Sequence, residues 1–207
     1  MHIHPILKIT GGLSNPKRGA SPNYSDFQVI MAFFNIGKNP LGRKTLGELL
    51  GVGEGTARTM IEKLQDIGLV KASPTGCYLT KKGNKRLEEL KKRVSHHPKV
   101  DVGYITLGRE NSAVIVRDAA HKIKSGMTQR DAAISAGAIG ASTLILDETG
   151  PRIPMINADE NMQARMKMLC EDMKMKKGDV LIIGTGDSER EAERAAWAAA
   201  CTILEEC

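Results

Sequence analysis

Aromatic side chains are nearly missing from this chain: 3 Phe, 3 Tyr and 1 Trp in 207 residues. A platform that stacks single-stranded bases needs several exposed rings, so that mode of nucleic-acid binding is excluded and a duplex is the expected partner. Paired cysteines are absent too. Cys77, Cys170, Cys201 and Cys207 are far apart, with no Cys-x-x-Cys, and no secretory signal opens the chain, which reads as reduced thiols in a cytoplasmic protein. The uncharged run Ala195 to Leu204 is about half of what a bilayer crossing needs, so no membrane span is expected. No nucleophile, base and orienting group stand together, and His121 is the lone histidine after residue 98. No catalytic residue, cofactor or metal is assigned. The opening Met-His-Ile-His reads as an incidental terminus and the stripe Met162, Met166, Leu169 and Met173 as core, so neither the histidines nor the six methionines between 155 and 175 are taken as metal ligands.

Hydrophobic residues make up 41% of the sequence, enough for a core in each of two domains. Charge divides them. Residues 1–98 hold 16 Lys and Arg against 7 Asp and Glu, and residues 99–207 hold 14 against 17. A basic half suits a polyanion, because neutralising phosphates releases counterions; a merely solvated basic face has the same composition.

The most informative stretch is Thr45 to Val70. Leu46, Leu49 and Leu50 share a face of a short helix, with Thr45 and Glu48 spaced as a capping box, and Gly51-Val52-Gly53 ends it. A second helix from Glu54 carries Ala57, Met60, Ile61, Leu64 and Ile67 as a buried stripe and turns Gly55, Arg58, Thr59 and Glu62 outward before Gly68 stops it. Upstream, Phe27, Ile30, Met31 and Phe34 predict another helix. Downstream, Val70 to Thr80 is two extended runs about Ser-Pro-Thr-Gly, a hairpin. An ordinary helical hairpin fits the central stretch alone, whereas its flanks fit a wing.

From about Tyr24 to Val94, with LQDIGLV at Leu64 to Val70, the chain resembles winged-helix transcription regulators. The resemblance implies duplex binding through Glu54 to Asp66, although some winged helices bind only proteins. The expected DNA-binding residues are Thr45, Gly55, Thr56, Arg58, Thr59 and Lys63 on the two helices, with Lys71, Lys81 and Lys82 around the wing. A homodimer is expected because one short helix covers only a few base pairs. Its contact would use the apolar faces of Lys85 to Val94 or of the last helix.

The expected domains are a flexible basic arm at 1–22 with Lys17 and Arg18, a winged helix-turn-helix at 23–98, and an α+β effector-binding or dimerisation domain at 99–207. Lys81 to Val94 reads as a basic helix and Ser95-His96-His97-Pro98 as the break that follows it. In the last part, Val102–Leu107 and Ala113–Val116 look like a hairpin. Helices follow at Asp118–Lys124 and Thr128–Ala136, with Asp118 and Asp131 as caps. A strand at Ala141–Leu146 turns into Arg152–Ile156; a helix at Asn161–Met173, a strand at Val180–Ile183 and a helix at Ser188–Leu204 complete the domain.

Gly184-Thr185-Gly186-Asp187-Ser188 reads as a glycine turn onto a helix N-terminus, able to present amides to an anion, or as a plain turn with Ser188 and Glu191 as a capping box. With Arg109, Asn111, Arg130 and Asp131, residues Gly184, Thr185, Gly186 and Asp187 form the expected site for a small polar or anionic effector. Through Arg109, QRDAAISAGAIGASTLI and GDVLIIGTGD, the second half resembles an archaeal family of winged-helix proteins whose C-terminal domain has no assigned function. That resemblance implies the two-domain arrangement and a sensor role. The alternative reading is an enzyme of small-molecule metabolism that uses the winged helix for autoregulation or protein contact.

Overall fold

Local sequence signals account for most of the first unit. The computed structural model describes residues 23–102 and 105–205; the arm at 1–22, with its His2, His4, Lys17 and Arg18, and Cys207 lie outside the described residues. The chain divides into two compact units, Met1–Lys91 and Lys92–Cys207. In the first, α1 (Asp26–Ile36) starts with a capping box in which Ser25 N donates to Gln28 Oε1 at 2.8 Å. It is followed by α2 (Arg43–Leu50), α3 (Glu54–Asp66), the antiparallel hairpin β1 (Val70–Ser73) and β2 (Gly76–Leu79), and α4 (Lys81–Lys91). A bridge between Leu41 and Cys77 adds a third extended segment to the hairpin. This is the order of a winged helix-turn-helix. Ile30, Met31, Phe33, Leu46, Leu50, Met60, Leu64 and Leu90 are its buried centre.

Gly51 (φ +68°) and Gly68 (φ +74°) end α2 and α3 in the left-handed region that glycine enters without strain. Thr45 does not cap α2, because the helix begins two residues earlier with Gly42 in the cap position. Pro40 and Gly42 are the break, and Thr45 lies exposed in the first turn.

The second unit is a five-stranded antiparallel sheet in the order β3-β4-β7-β5-β6, formed by Val94–His97, Glu110–Val116, Val180–Gly186, Gly140–Asp147 and Gly150–Arg152 respectively. Helices α5 (Met127–Ser135) and α7 (Glu189–Glu205) cover one face; α6 (Glu160–Asp172) packs with the other. Ala113, Ile115, Leu144, Leu181 and Ile183 meet Met166, Leu169, Cys170 and Met173 there, with Met162 and Met175 packed against them, whereas Met155 and Met168 are exposed. The intervening residues Val114, Ile145 and Ile182 are also buried, as period-two alternation requires of a sheet covered on both sides. All seven residues of central β7 are buried.

Several expectations change here. Ser95-His96-His97 is part of edge strand β3, not a linker: Val94 pairs with Val116 and His97 with Ala113. Hence the partner of β4 is β3, and residues 105–109 are a loop. Asp118 stands in a turn at φ +50°, followed only by a short 3-10 helix at Ala120–Lys122. Asp131 is inside α5, whose cap position is Gly126. The true pinning carboxylate is buried Asp179, which accepts from Arg117 Nη1 (2.5 Å), Lys176 N (2.8 Å) and Asp118 N (3.2 Å) and so ties the end of β4 to the start of β7.

The apolar faces offered for self-association are used internally. Leu87, Leu90 and Val94 are buried, as is the run Ala195–Cys201 of α7. Cys77, Cys170 and Cys201 are buried thiols. No helix among the described residues is long and apolar enough to cross a membrane.

Candidate functional site

The outward side of α3 is small at its start. Nothing lies within 4 Å of where a side chain at Gly55 would begin, and Arg58, Thr59 and Glu62 are exposed. Arg58 Nε donates to Glu62 Oε1 at 2.8 Å, a partnership that raises the Arg58 pKa, and Thr59 Oγ1 donates to Gly55 O at 3.1 Å. The pair is solvent-exposed and screened, so Arg58 leaves Glu62 at little cost.

The first turn of α2 comes to the same place. Arg43 Nε lies 3.8 Å from Glu54 Oε1, which sets the N-termini of α2 and α3 side by side. Both have glycine in the cap position, Gly42 and Gly53, and neither is capped by a side chain. Arg43, Lys44, Glu54, Arg58, Glu62 and the wing tip Ser73–Gly76 line one groove of about 660 Å³. Its three cations against two carboxylates, beside two helix N-termini, make it receptive to anions.

Not every expected residue points there. Thr56 is half-buried in the first turn of α3. Lys63 Nζ sits 5.4 Å from the centroid of the buried Tyr24 ring, a cation–π contact on another flank. Lys82 Nζ donates to Ile67 O at 2.7 Å, capping the C-terminal end of α3. Lys71 and Lys81 are exposed, at the hairpin and at the start of α4. Arg43 and Lys44 are the residues that sequence reading missed, because it began the helix at Thr45.

In the second unit, the expected effector residues Asn111 and Gly184–Gly186 lie at one end of the sheet, where Gly140 pairs with Thr185 and stands beside Arg130. Gly184-Thr185-Gly186 is not a turn; it is the last part of β7, paired with Ser112-Asn111-Glu110 of β4. Its two glycines exist for packing. A β-carbon at Gly184 would strike Ala196 N and Ala192 O of α7, and one at Gly186 would come within 2.6 Å of Glu191 Cβ. The polar groups there already have partners: Thr185 Oγ1 accepts from Gly108 N (3.0 Å), Asn111 Oδ1 from Thr106 Oγ1 (2.7 Å), and Glu191 Oε2 takes the Asp187 amide (3.0 Å). Arg109, Arg130 and Asp131 are exposed.

An open cleft of about 990 Å³ lies between the β5–β6 hairpin and α6. Leu146, Ile156, Ala158, Cys170 and Met175 supply apolar lining; five carboxylates and three cations supply the rest. Burial, reinforced by Glu171, pushes the Cys170 thiol up to about 11, so it stays protonated. Glu148 is paired with Lys177 at 2.5 Å. The hairpin turn is held by Asp147, which accepts from Thr149 Oγ1 (2.6 Å), Thr149 N (2.9 Å) and Arg152 Nε (2.6 Å).

The Thr149 hydroxyl first, and then Arg152, hold Asp147 down from the ordinary 3.8 to about 2. A depressed carboxylate stabilises the fold fully above its unfolded value and loses that contribution as pH falls through its folded value. The melting-temperature deficit of Asp147→Asn is therefore expected to be constant at neutral pH and to close between 3.8 and about 2. Calorimetry across that window is the check; a deficit that persists at the acid end would assign the loss to geometry.

A buried polar cluster joins β3 to α7. His96 Nε2 lies 3.4 Å from Ser112 Oγ and 3.5 Å from Glu193 Oε1, and its ring centroid is 5.2 Å from that of Trp197. These are residue types of hydrolytic sites, yet Ser112 is wholly buried and both partners approach the same nitrogen. The cluster orients an edge strand against its helix and offers a substrate no access. Neighbouring His97 has its pKa lowered by burial and then by Arg117.

Residues 27–85 match the PH0730-like, N-terminal domain. Residues 107–203 match a second family, described as a domain of unknown function (DUF4443). Among solved structures the chain is similar to "Hypothetical protein PH0730 from Pyrococcus horikoshii OT3", at 26% identity and a TM-score of 0.71, over 89% of this chain and 95% of that one. This neighbour is archaeal, as the sequence resemblance implied, and the likeness takes in both the helical first part and the sheet-containing second part. No curated protein matches the chain.

Proposed function

We propose that the chain is a DNA-binding transcription regulator that works as a homodimer and whose second unit responds to a small polar effector. The observation that carries the reading is the groove in the first unit: two helix N-termini without side-chain caps, with Arg43, Lys44 and Arg58, opposite a wing tip. Backbone amides and the helix dipoles favour phosphate there, and the small start of α3 leaves its backbone free to approach base edges. α3 itself has two cations against three carboxylates, so phosphate attraction falls to α2, the wing and α4 rather than to the reading helix. The test is an anisotropy titration of the full chain with random-sequence duplex at increasing salt. A steep fall of affinity with salt supports the reading, and no binding at low salt removes it.

The effector's place in this reading is the cleft beside α6. Its volume suits a small molecule, and its excess of carboxylates favours a neutral or cationic polar ligand over the anionic one expected at the strand end. A regulatory ligand must also bind the DNA-bound and free forms unequally. A thermal-shift panel of amines, amino acids and sugar phosphates, followed by DNA titration with each hit, is expected to yield a hit from the first two classes that shifts DNA affinity and is lost with Ala164→Trp, which fills the cleft. Hits that leave DNA affinity unchanged would detach the cleft from regulation.

A further inference from the structure

With the faces of α4 and α7 used in their own cores, the exposed side of α5 has no partner among the described residues of its unit. Met127 is 57% exposed and Ile134 45%, two turns apart, while Gln129 and Ala133 on the far side are buried and Gln129 Nε2 donates to Thr202 Oγ1 of α7 at 2.8 Å. Between the two apolar residues, on the same exposed side, stand Arg130 and Asp131. Their own pair is loose, at 4.0 Å with both side chains more than half exposed.

We infer that this face is the contact between two copies of the chain, related by a two-fold axis passing between residues 130 and 131. The order Met127, Arg130, Asp131, Ile134 is self-complementary when read in reverse. Two α5 helices crossing antiparallel set Met127 of each against Ile134 of the other, and Arg130 of each against Asp131 of the other. A parallel arrangement would stack like charges. An isologous contact has this property by necessity: each patch must complement itself. Two further exposed apolar residues stand near the same end of the sheet. Ile139 is 42% exposed and Leu107 97% exposed, and both neighbour the end of β7, since Gly140 pairs with Thr185 and Gly108 N donates to Thr185 Oγ1. One nine-residue helix covers less than the roughly 800 Å² per partner of a standard interface, so the contact is expected to be weak and reversible.

This contact gives the homodimer of the proposed regulator its surface, and it does not depend on DNA. Sedimentation equilibrium of the full chain without DNA, from about 1 to 200 µM, tests it. The wild-type chain is expected to show a reversible monomer–dimer equilibrium. Arg130→Asp alone and Asp131→Arg alone each turn both charge contacts across the axis into like-charge ones and should weaken the dimer about tenfold or more, while both changes together in one chain restore it. Ile134→Glu should leave a monomer. All three sites are exposed, and unchanged melting curves would show that the variants fold. A chain that stays monomeric throughout, or a dimer indifferent to the charge exchange, overturns the assignment; either result leaves the anisotropy titration, and with it the DNA reading, untouched.

Discussion

Replacing Arg43, Lys44 and Arg58 together with alanine is expected to lower duplex affinity by a hundredfold or more and to flatten its salt dependence. Every phosphate that is no longer neutralised takes roughly 0.9 off the log–log salt slope, so three of them take off about 3. If Arg58 reads a base instead, its share is about 1–3 kcal/mol of sequence discrimination, and the slope falls by about 2. Those two outcomes separate positioning from reading. The ion pair with Glu62 does not protect Arg58 from this role, because the pair is exposed and weak. Lys82→Ala is the contrasting change. Its ammonium caps α3 through Ile67 O, so the loss should appear in melting temperature more than in DNA affinity. Anisotropy with the triple variant at three salt concentrations decides the matter; an unchanged affinity would move the interface off this groove.

Sequence reading succeeded where the signal is local. The stripe Ala57, Met60, Ile61 and Leu64 is buried as its spacing predicts, though its last member, Ile67, is only half-buried at the helix cap; Gly68 stops the helix in the left-handed region, and the hairpin turns at Pro74-Thr75. It failed where the cause is remote. Thr45 with Glu48 has the spacing of a capping box, but α2 is entered through Pro40-Leu41-Gly42, where Leu41 is held by its bridge to Cys77 on the wing. Missing that start also hid Arg43 and Lys44. Ser95-His96-His97 looks like a break because its strand character comes from β4, whose residues Ala113 to Val116 are supplied later in the chain. The cleft was invisible for a similar reason: its walls, the β5–β6 hairpin and α6, are each ordinary, and only their meeting makes a concavity.

The glycines of β7 show the same limit most clearly. In sequence, Gly184-Thr185-Gly186 before a helix looks like a turn built for an anion; in the structure the glycines let α7 lie directly on the central strand. Alanine-rich α7 completes the arrangement from the other side: Ala192, Ala195, Ala196, Ala199 and Ala200 are fully buried. Small residues facing small residues bring two backbones close.

That closeness predicts a large stability effect. Gly184→Ala adds one methyl group whose carbon would overlap Ala196 N and Ala192 O and approach Ala195 Cβ to 2.8 Å. The first two obstacles are backbone, so no rotamer change relieves them. Either α7 shifts as a rigid body, or the strand bends and breaks its ladder to β4 at Ser112 and to β5 at Ala141. Overpacking against movable side chains costs about 1–3 kcal/mol, and backbone against backbone lies at or above that upper end. For a chain of this size about 3 kcal/mol corresponds to a fall of roughly 6–12 °C in melting temperature. Gly55→Ala is the internal control, since its added methyl group meets nothing within 4 Å and improves helix propensity by up to about 1 kcal/mol. Urea unfolding of both variants separates the effects. If Gly184→Ala unfolds within a few tenths of a kcal/mol of the wild type, the close approach of α7 to β7 is not what holds this face of the sheet, and the glycine pair would need another reason to be there.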